Sequence, residues 1–166
     1  VSHIVYSNYA HKKGVAEGLN RWNRSVLDEF PNLYCFAAIH PDDGNCMEIA
    51  KNIISQPRVL GFKLQHLVQN FYPYDERLFP LYDLVMENNK RILFHAGTGP
   101  VGSPYVGVKH FEKLLKKYPD IPANIAHMGA FECREFMALL EDHDDLYFDT
   151  SFAFFESMDM GFNLDP

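Results

Sequence analysis

The sequence predicts an α/β fold built on a parallel sheet, and two observations lead to this prediction. Short apolar runs alternate with longer segments in which apolar residues recur every three or four positions, as expected for alternating strands and helices. The apolar runs are almost continuous, which is typical of strands that are covered on both faces. Such alternation implies right-handed strand–helix–strand crossovers, and therefore a parallel sheet.

The predicted elements follow one another along the whole chain. Strands are predicted at SHIVYS (2–7), LYCFAAIH (33–40), VLGFKLQ (59–65), RILFHAG (91–97), IPANIAH (121–127) and LYFDTSF (146–152). Helical periodicity is found over residues 12–30, 76–89, 107–118 and 131–141. Two long connections, residues 66–75 and 97–106, follow predicted strands. In α/β folds the loops after strands carry the functional residues, so both loops are candidates for a site.

Composition limits the classes of partner. The chain has 166 residues, of which 47% are hydrophobic, and this suits a single domain over residues 1–166. The net charge of −7 argues against nucleic acid and against an anionic membrane surface. No apolar stretch approaches the roughly 20 residues of a membrane span. Cysteines 35, 46 and 133 have no CxxC spacing, which favours a reducing compartment and a cytoplasmic location.

Three predicted strands contain a histidine at or near their carboxyl ends: His40, His95 and His127. The first could face the rim or could equally be a loop residue, and the other two are the stronger candidates. Alternation along a strand puts His95 on the same face as Leu93, and His127 on the same face as Ala123 and Ile125. Both rings are therefore expected to point to one inner side at the carboxyl ends of neighbouring strands. A single such histidine could equally be structural, but two at equivalent positions favour a functional site. Neutral imidazole is a common metal ligand and a general acid or base near neutral pH.

Other polar residues on the predicted strands are weaker candidates. Lys63 and Gln65 share a face. A buried lysine is costly without a partner, so an inward Lys63 should meet a carboxylate, a substrate anion or a metal bridge; alternatively, it extends to the edge. Asp149 is expected to accept a hydrogen bond from a neighbouring histidine, and His66 is expected to be a solvated loop residue. Aromatic residues near these loops either bind an apolar substrate portion or cover the site: Phe71, Tyr72, Tyr74, Tyr105 and Phe154.

Several of these segments, in this order and spacing, resemble the amidohydrolase superfamily, and in particular its amidohydrolase-related (amidohydrolase 2) group. They are GFKLQ (61–65), ILFHAG (92–97), NIAHMG (124–129) and LYFDTS (146–151), together with FAAIHPDD (36–43). The resemblance covers roughly residues 2–155. It implies a TIM (β/α)8 barrel that is partial here, with about strands two to seven present in a single barrel domain truncated at both ends.

The resemblance also implies roles for particular residues. His95 matches the strand-five ligand of a divalent metal, which in this family is usually zinc. His127 matches the strand-six histidine that helps to bind or polarise substrate or water, and Lys63 and Gln65 match a strand-four segment that lines the substrate pocket. The His-x-His pair that the family carries on strand one does not occur in this chain.

Three functions remain open at this point. The resemblance implies a metal-dependent hydrolase that acts on a C–N or C–O bond of a small molecule through a metal-activated water. Decarboxylases and hydratases of the same superfamily are the first alternative, and a non-catalytic barrel fragment or small-molecule binding domain is the second. A doubly wound open sheet is the alternative fold. Many such barrels pair, so a homo-oligomer is possible.

Overall fold

The computed structural model describes residues 1–99 and 101–153, in which six strands form one sheet. The strands are β1 (Ile4–Ser7), β2 (Leu33–Ala38), β3 (Val59–Gln65), β4 (Arg91–His95), β5 (Ala123–Ile125) and β6 (Leu146–Phe148). Neighbouring strands are parallel, and their order in the sheet is their order in the chain. Winding in one direction builds the wall of a (β/α)8 barrel, whereas a doubly wound sheet reverses its strand order. The alternative of an open doubly wound sheet is therefore wrong.

Helices follow the strands. They are α1 (Ala16–Glu29), α2 (Cys46–Ile54), α3 (His66–Gln69), α4 (Phe79–Glu87), α5 (Val108–Lys117) and α6 (Cys133–Ala138). Short 3-10 turns occur at Glu76–Leu78, Ala126–Gly129 and Leu139–Glu141. The four helical segments predicted from periodicity are confirmed as α1, α4, α5 and α6. Helix α2 was not predicted, although its buried residues Ile49, Ala50, Ile53 and Ile54 have helical spacing.

The main core lies between the sheet and the helices. Strand residues Phe62 and Phe94 are fully buried there, together with Phe111 and Phe136 from helices α5 and α6. The ring centroids of Phe94 and Phe111 are 5.2 Å apart, and those of Phe111 and Phe136 are 5.7 Å apart. On the opposite face of the sheet a smaller apolar cluster forms around Phe36, Leu93 and Ala126. This second face is the concave, inner side of the barrel wall.

The predicted facing of strand β5 is wrong. Leu93 lies on the inner face and pairs in register with Asn124, whereas Ala123 and Ile125 are buried in the core against the helices. Alternation continued to residue 127 would therefore direct His127 outward. The chain leaves the strand conformation at this point, because His127 has φ 53° and ψ 33°. A turn after β5, and not the strand, sets the direction of the His127 ring.

Both edges of the described sheet expose apolar side chains. On the β1 side, Ile4 and Val5 retain 47% and 54% of their accessible surface, and on the β6 side Tyr147 retains 52%.

None of the described helices is long and apolar enough to cross a lipid bilayer. The three cysteines are free and buried, and burial raises the pKa of the Cys35 and Cys46 thiols to about 11. Such thiols are poor nucleophiles at neutral pH.

Replacing Tyr82 with phenylalanine tests the packing of α4 against the core. The side chain is fully buried and its hydroxyl donates to the carbonyl oxygen of Pro73 at 2.6 Å. We expect Tyr82→Phe to lower the free energy of unfolding by about 1 kcal/mol, because the carbonyl loses this donor. Urea denaturation measures the change. As a control, Tyr147→Phe at the exposed β6 edge should change the free energy of unfolding by less than about 0.5 kcal/mol. Equal effects of the two substitutions would contradict the buried hydrogen bond from Tyr82 to Pro73.

Candidate active site

Two imidazoles meet at the carboxyl ends of β4 and β5. His95 is the last residue of β4, and His127 lies in the 3-10 turn that directly follows β5. Their ring centroids are 5.1 Å apart and the ring planes are inclined by 73°. The structure thus brings together the two histidines that the sequence predicts to share a site. In barrels of this class the carboxyl ends of the strands carry the active site.

The His95 ring is buried and neutral. Its exposed fraction is 9%, and its Nε2 lies 3.3 Å from the carbonyl oxygen of Gly99. A carbonyl can only accept a hydrogen bond, so this contact places the proton on Nε2 and leaves the lone pair on Nδ1. Burial and the nearby ammonium of Lys63 lower the pKa of His95 to about 4. A neutral imidazole with a free lone pair can bind a metal ion or accept a proton.

The His127 ring is fixed by the segment that follows strand β6. Its Nδ1 lies 2.6 Å from the carbonyl oxygen of Ser151 and 3.2 Å from the Ser151 hydroxyl. The carbonyl contact assigns the proton to Nδ1, so that Nε2 keeps its lone pair. One quarter of the side chain remains exposed. A fixed ring with an accessible nitrogen is suited to proton transfer or to contact with a ligand.

Asp149 joins the β6 end to the histidine turn. Its Oδ1 accepts hydrogen bonds from the backbone N–H of His127 at 3.3 Å and of Ser151 at 3.0 Å, and from the Ser151 hydroxyl. The same oxygen lies 3.8 Å from Nδ1 of His127. The expected hydrogen bond from a histidine to Asp149 therefore comes from the backbone of His127. Sequence reasoning missed Ser151 as a partner of that ring, because the contact depends on how β6 ends.

Lys63 and Gln65 reach the same inner side from β3. Lys63 pairs in register with Leu93, and Gln65 pairs with His95. Their exposed fractions are 6% and 8%. Burial lowers the pKa of Lys63 to about 8, and the charge of Asp149 opposes this shift. The Gln65 Oε1 is buried and has no hydrogen-bond partner within the described residues. An acceptor without a partner at this position is available to a ligand or to water.

His66 does not belong to the site, and the expectation of a solvated loop residue is wrong. The side chain is fully buried, its Nδ1 lies 3.1 Å from the carbonyl oxygen of Phe71, and its ring stacks on Phe94 at 5.7 Å. Phe94 belongs to the core against the helices, so His66 lies on the outer side of the sheet. Burial lowers its pKa to about 3. The short helix α3 turns the chain over the core here.

The aromatic residues of the rim mostly contact one another. The Tyr72 ring lies 5.2 Å from that of Tyr74, 5.0 Å from that of Tyr105 and 4.8 Å from that of His110. This cluster joins the loops after β3 and β4, so these rings cover the edge of the barrel. Phe71 is buried. Phe154 lies outside the described residues.

The loops that carry the two histidines are in direct backbone contact. A β-bridge joins Thr98 to Ala130, and the Phe131 N–H donates to the Thr98 carbonyl at 3.2 Å. A Cβ atom on Gly97 would lie 2.0 Å from the carbonyl oxygen of Gly129, so this approach requires glycine. From His127 to Ala130 four consecutive residues have positive φ, of 53°, 54°, 84° and 52°. The backbone of this turn is therefore unusual for a segment with one glycine.

A cavity of about 700 Å³ occupies the concave side of the sheet. Its wall includes Leu93, Asn124, Asp149 and Ser151. The cavity therefore reaches Asp149 and Ser151, the two residues that contact His127. Neither His95 nor His127 is part of that wall, which also includes Lys90 and Arg91 at the amino end of β4. The concave side thus offers space for a small molecule beside the residues that contact His127, and not beside the two rings themselves.

The described residues do not form a metal site by themselves. Within residues 1–99 and 101–153, no group of three or more histidine, cysteine, aspartate or glutamate side chains could hold a metal ion. His95 and His127 offer one nitrogen each, whereas protein zinc sites use three or four protein ligands. Further ligands have to come from elsewhere if this site holds a metal.

The sequence profile of a family described as amidohydrolase matches residues 3–162. The chain belongs to the amidohydrolase family. This match confirms the resemblance found in the sequence. No curated protein matches the chain.

Solved structures agree with a partial TIM barrel. An uncharacterized TIM-barrel protein from Bordetella bronchiseptica aligns with a TM-score of 0.68 and 18% identity, over 79% of this chain and 48% of its own. The 4-oxalomesaconate hydratase of Rhodopseudomonas palustris aligns with a TM-score of 0.57 and 18% identity, over 81% of this chain and 49% of its own. The 5-carboxyvanillate decarboxylase of Novosphingobium aromaticivorans, solved with manganese, aligns with a TM-score of 0.58 and 16% identity, over 75% of this chain and 42% of its own. The amidohydrolase chain thus spans about half the length of these structures.

Proposed function

We propose that the whole protein is a metal-dependent hydrolase that acts on a C–N or C–O bond of a small molecule. The observation that carries the proposal is the pair of imidazoles, His95 and His127, with ring centroids 5.1 Å apart at the carboxyl ends of adjoining strands. Membership of the amidohydrolase family supports it. The cofactor in this proposal is a divalent metal, and zinc is the candidate that imidazole ligands favour.

The proposal gives each residue a role that fits its environment. His95 is a metal ligand, because its buried ring is neutral at pH 7. His127 contacts substrate or water through Nε2, since Nδ1 is occupied by Ser151. Lys63 and Gln65 bind polar groups of the substrate, one as a cation and the other as an acceptor without a partner among the described residues. The remaining metal ligands come from outside the described residues.

A decarboxylase or hydratase is the second candidate, and the buried ammonium of Lys63 favours it. A positive charge on the inner face of the sheet would bind a substrate carboxylate, which a decarboxylation requires. The hydratase and the decarboxylase among the similar structures are consistent with this candidate. Product analysis separates the two: release of carbon dioxide from an acid, or addition of water, supports the second, and a new carboxylate with an amine or alcohol supports the first.

Removing the His95 imidazole tests the metal site. In the whole protein we expect His95→Ala to weaken divalent-metal affinity by on the order of 100-fold. Loss of a metal ligand should lower the affinity at least as much as loss of a residue that only hydrogen-bonds to a ligand. Metal content after dialysis, measured by mass spectrometry, and competition with a chelator report the change. His11→Ala, at an exposed position, is the control.

Two results would count against this proposal. Unchanged metal content in His95→Ala would remove His95 from the site. A wild-type protein that binds no divalent metal would favour the remaining alternative, a non-catalytic barrel fragment or a small-molecule binding domain.

A further inference from the structure

Glu132 contacts both loops that carry the histidine pair. The residue lies five positions after His127, at the end of the turn that follows β5. Its Oε2 accepts a hydrogen bond from the Thr98 backbone N–H at 3.2 Å, and its Oε1 accepts one from the Val108 backbone N–H at 3.3 Å. Thr98 lies three positions after His95, and Val108 is the first residue of α5. One carboxylate therefore binds both ends of the loop after β4.

The chemistry of these contacts favours a carboxylate. The first N–H groups of a helix lack partners within the helix, and the helix dipole places partial positive charge there. A carboxylate can accept at both oxygens at once, and hydrogen bonds to a charged acceptor are stronger than neutral ones. Glu132 is half-buried and directs this group to α5, although Glu132 itself immediately precedes α6. It thus connects the β5 turn with a neighbouring helix and with the intervening loop.

The remaining contacts between the two loops do not fix this geometry. Among the described residues these contacts include the Thr98–Ala130 bridge, the hydrogen bond from the Phe131 N–H to the Thr98 carbonyl at 3.2 Å, and the close approach of Gly97 to Gly129. All of them lie near Thr98, so none holds the far end of the loop at Val108. Ala96, next to His95, accepts a hydrogen bond from the Gly107 N–H at 2.6 Å, which makes the position of His95 sensitive to where α5 begins.

We propose that Glu132 is a positioning residue that sets the separation and orientation of the His95 and His127 rings by bridging Thr98, Val108 and its own turn. This role deepens the proposed function, since it concerns the same two rings. It does not require a bound metal, because the contacts form within the chain itself.

The test compares Glu132→Ala, Glu132→Gln and the control Glu135→Ala, which removes an exposed carboxylate from α6. The readout is the ring nitrogen signals of His95 and His127 in long-range proton–nitrogen spectra of the whole, metal-free protein. We expect both rings of the wild type to show one tautomer each, and Glu132→Ala to broaden these signals or move them toward tautomer averages. Glu132→Gln should show a smaller change, because an amide oxygen can accept from one N–H but the amide nitrogen cannot accept from the other.

Two further measurements separate positioning from simple destabilisation. Amide hydrogen exchange at Thr98 and Val108 should accelerate about tenfold in Glu132→Ala, while amides of β2 keep the wild-type rate. Zinc affinity of the whole protein should fall about tenfold in Glu132→Ala and stay unchanged in Glu135→Ala.

The proposal is overturned if the ring signals of both Glu132 variants match those of Glu135→Ala. If Glu132→Ala does not fold, Glu132→Gln decides by the same comparison. If the wild type binds no zinc, the proposed function fails while the ring spectra still decide the role of Glu132.

Discussion

Replacing Gly97 with alanine is expected to destabilise the protein by about 3 kcal/mol or more. The added Cβ would lie 2.0 Å from the carbonyl oxygen of Gly129, 2.3 Å from its carbonyl carbon and 2.6 Å from its Cα. All three are backbone atoms, so no side chain can rotate away. The two loops must separate to accommodate the methyl group. Overpacking usually lowers the free energy of unfolding by about 1–3 kcal/mol, and a clash that moves the backbone reaches or exceeds the upper end of this range.

A matched control for Gly97→Ala is present in helix α1. Gly18 is exposed, and a Cβ there would meet nothing within 4 Å. Gly18→Ala should therefore stabilise the protein by about 0.5–1 kcal/mol, because alanine favours the helix. Urea denaturation of both variants measures changes of opposite sign. A Gly97→Ala protein within about 1 kcal/mol of the wild type would contradict the close approach of the two loops.

Replacing Lys63 with methionine is expected to stabilise the protein by about 3 kcal/mol at pH 7. Methionine keeps most of the buried apolar stem and removes a charge whose burial lowers the pKa of Lys63 from 10.5 to about 8. Each pKa unit corresponds to about 1.4 kcal/mol, which sets the size of the effect. A gain in stability at a cost in function is common where a charged group serves a site.

The effect of Lys63 depends on pH in a defined direction. Between pH 8 and 10.5 the unfolded chain binds more protons at Lys63 than the folded chain does, so the stability of the wild type rises with pH in this window. Lys63→Met lacks this contribution. The difference between the two proteins should therefore shrink from about 3 kcal/mol at pH 7 to about 1 kcal/mol at pH 10.

Urea titrations of both proteins at the two pH values measure this difference. Lys12→Met, at an exposed lysine, is the control and should change stability by less than about 0.5 kcal/mol at either pH. If Lys63→Met is less stable than the wild type at pH 7, a partner within the protein compensates the buried charge.

Much of the fold could be predicted because the local pattern determines it. The run VLGFKLQ is a continuous apolar strand between clear boundaries, and strand β3 occupies the same residues, Val59–Gln65. Lys63 and Gln65 share a face in the structure because alternation along a regular strand leaves no other outcome. Helix α2 was missed although its apolar spacing is helical. The local signal for this helix is therefore present in the sequence.

The rest of the site depends on contacts that no local pattern contains. His127 meets His95 because positive φ values reverse the facing that β5 would impose, and a histidine followed by methionine does not predict such a turn. Glu132 and Thr98 are 34 positions apart, and their hydrogen bond exists only after both loops have been placed. His66 is buried because the short helix α3 forms after β3. Tertiary placement decided each of these cases.

The run of positive φ values from His127 to Ala130 also restricts which residues can be substituted in this segment. Left-handed backbone disfavours β-branched side chains, and proline cannot adopt it. Positions 128 and 130 should therefore accept glycine or asparagine more readily than valine, isoleucine or threonine, whatever the surrounding chemistry. A mutational scan would show a narrow range of tolerated residues here, imposed by main-chain geometry before any requirement of catalysis applies.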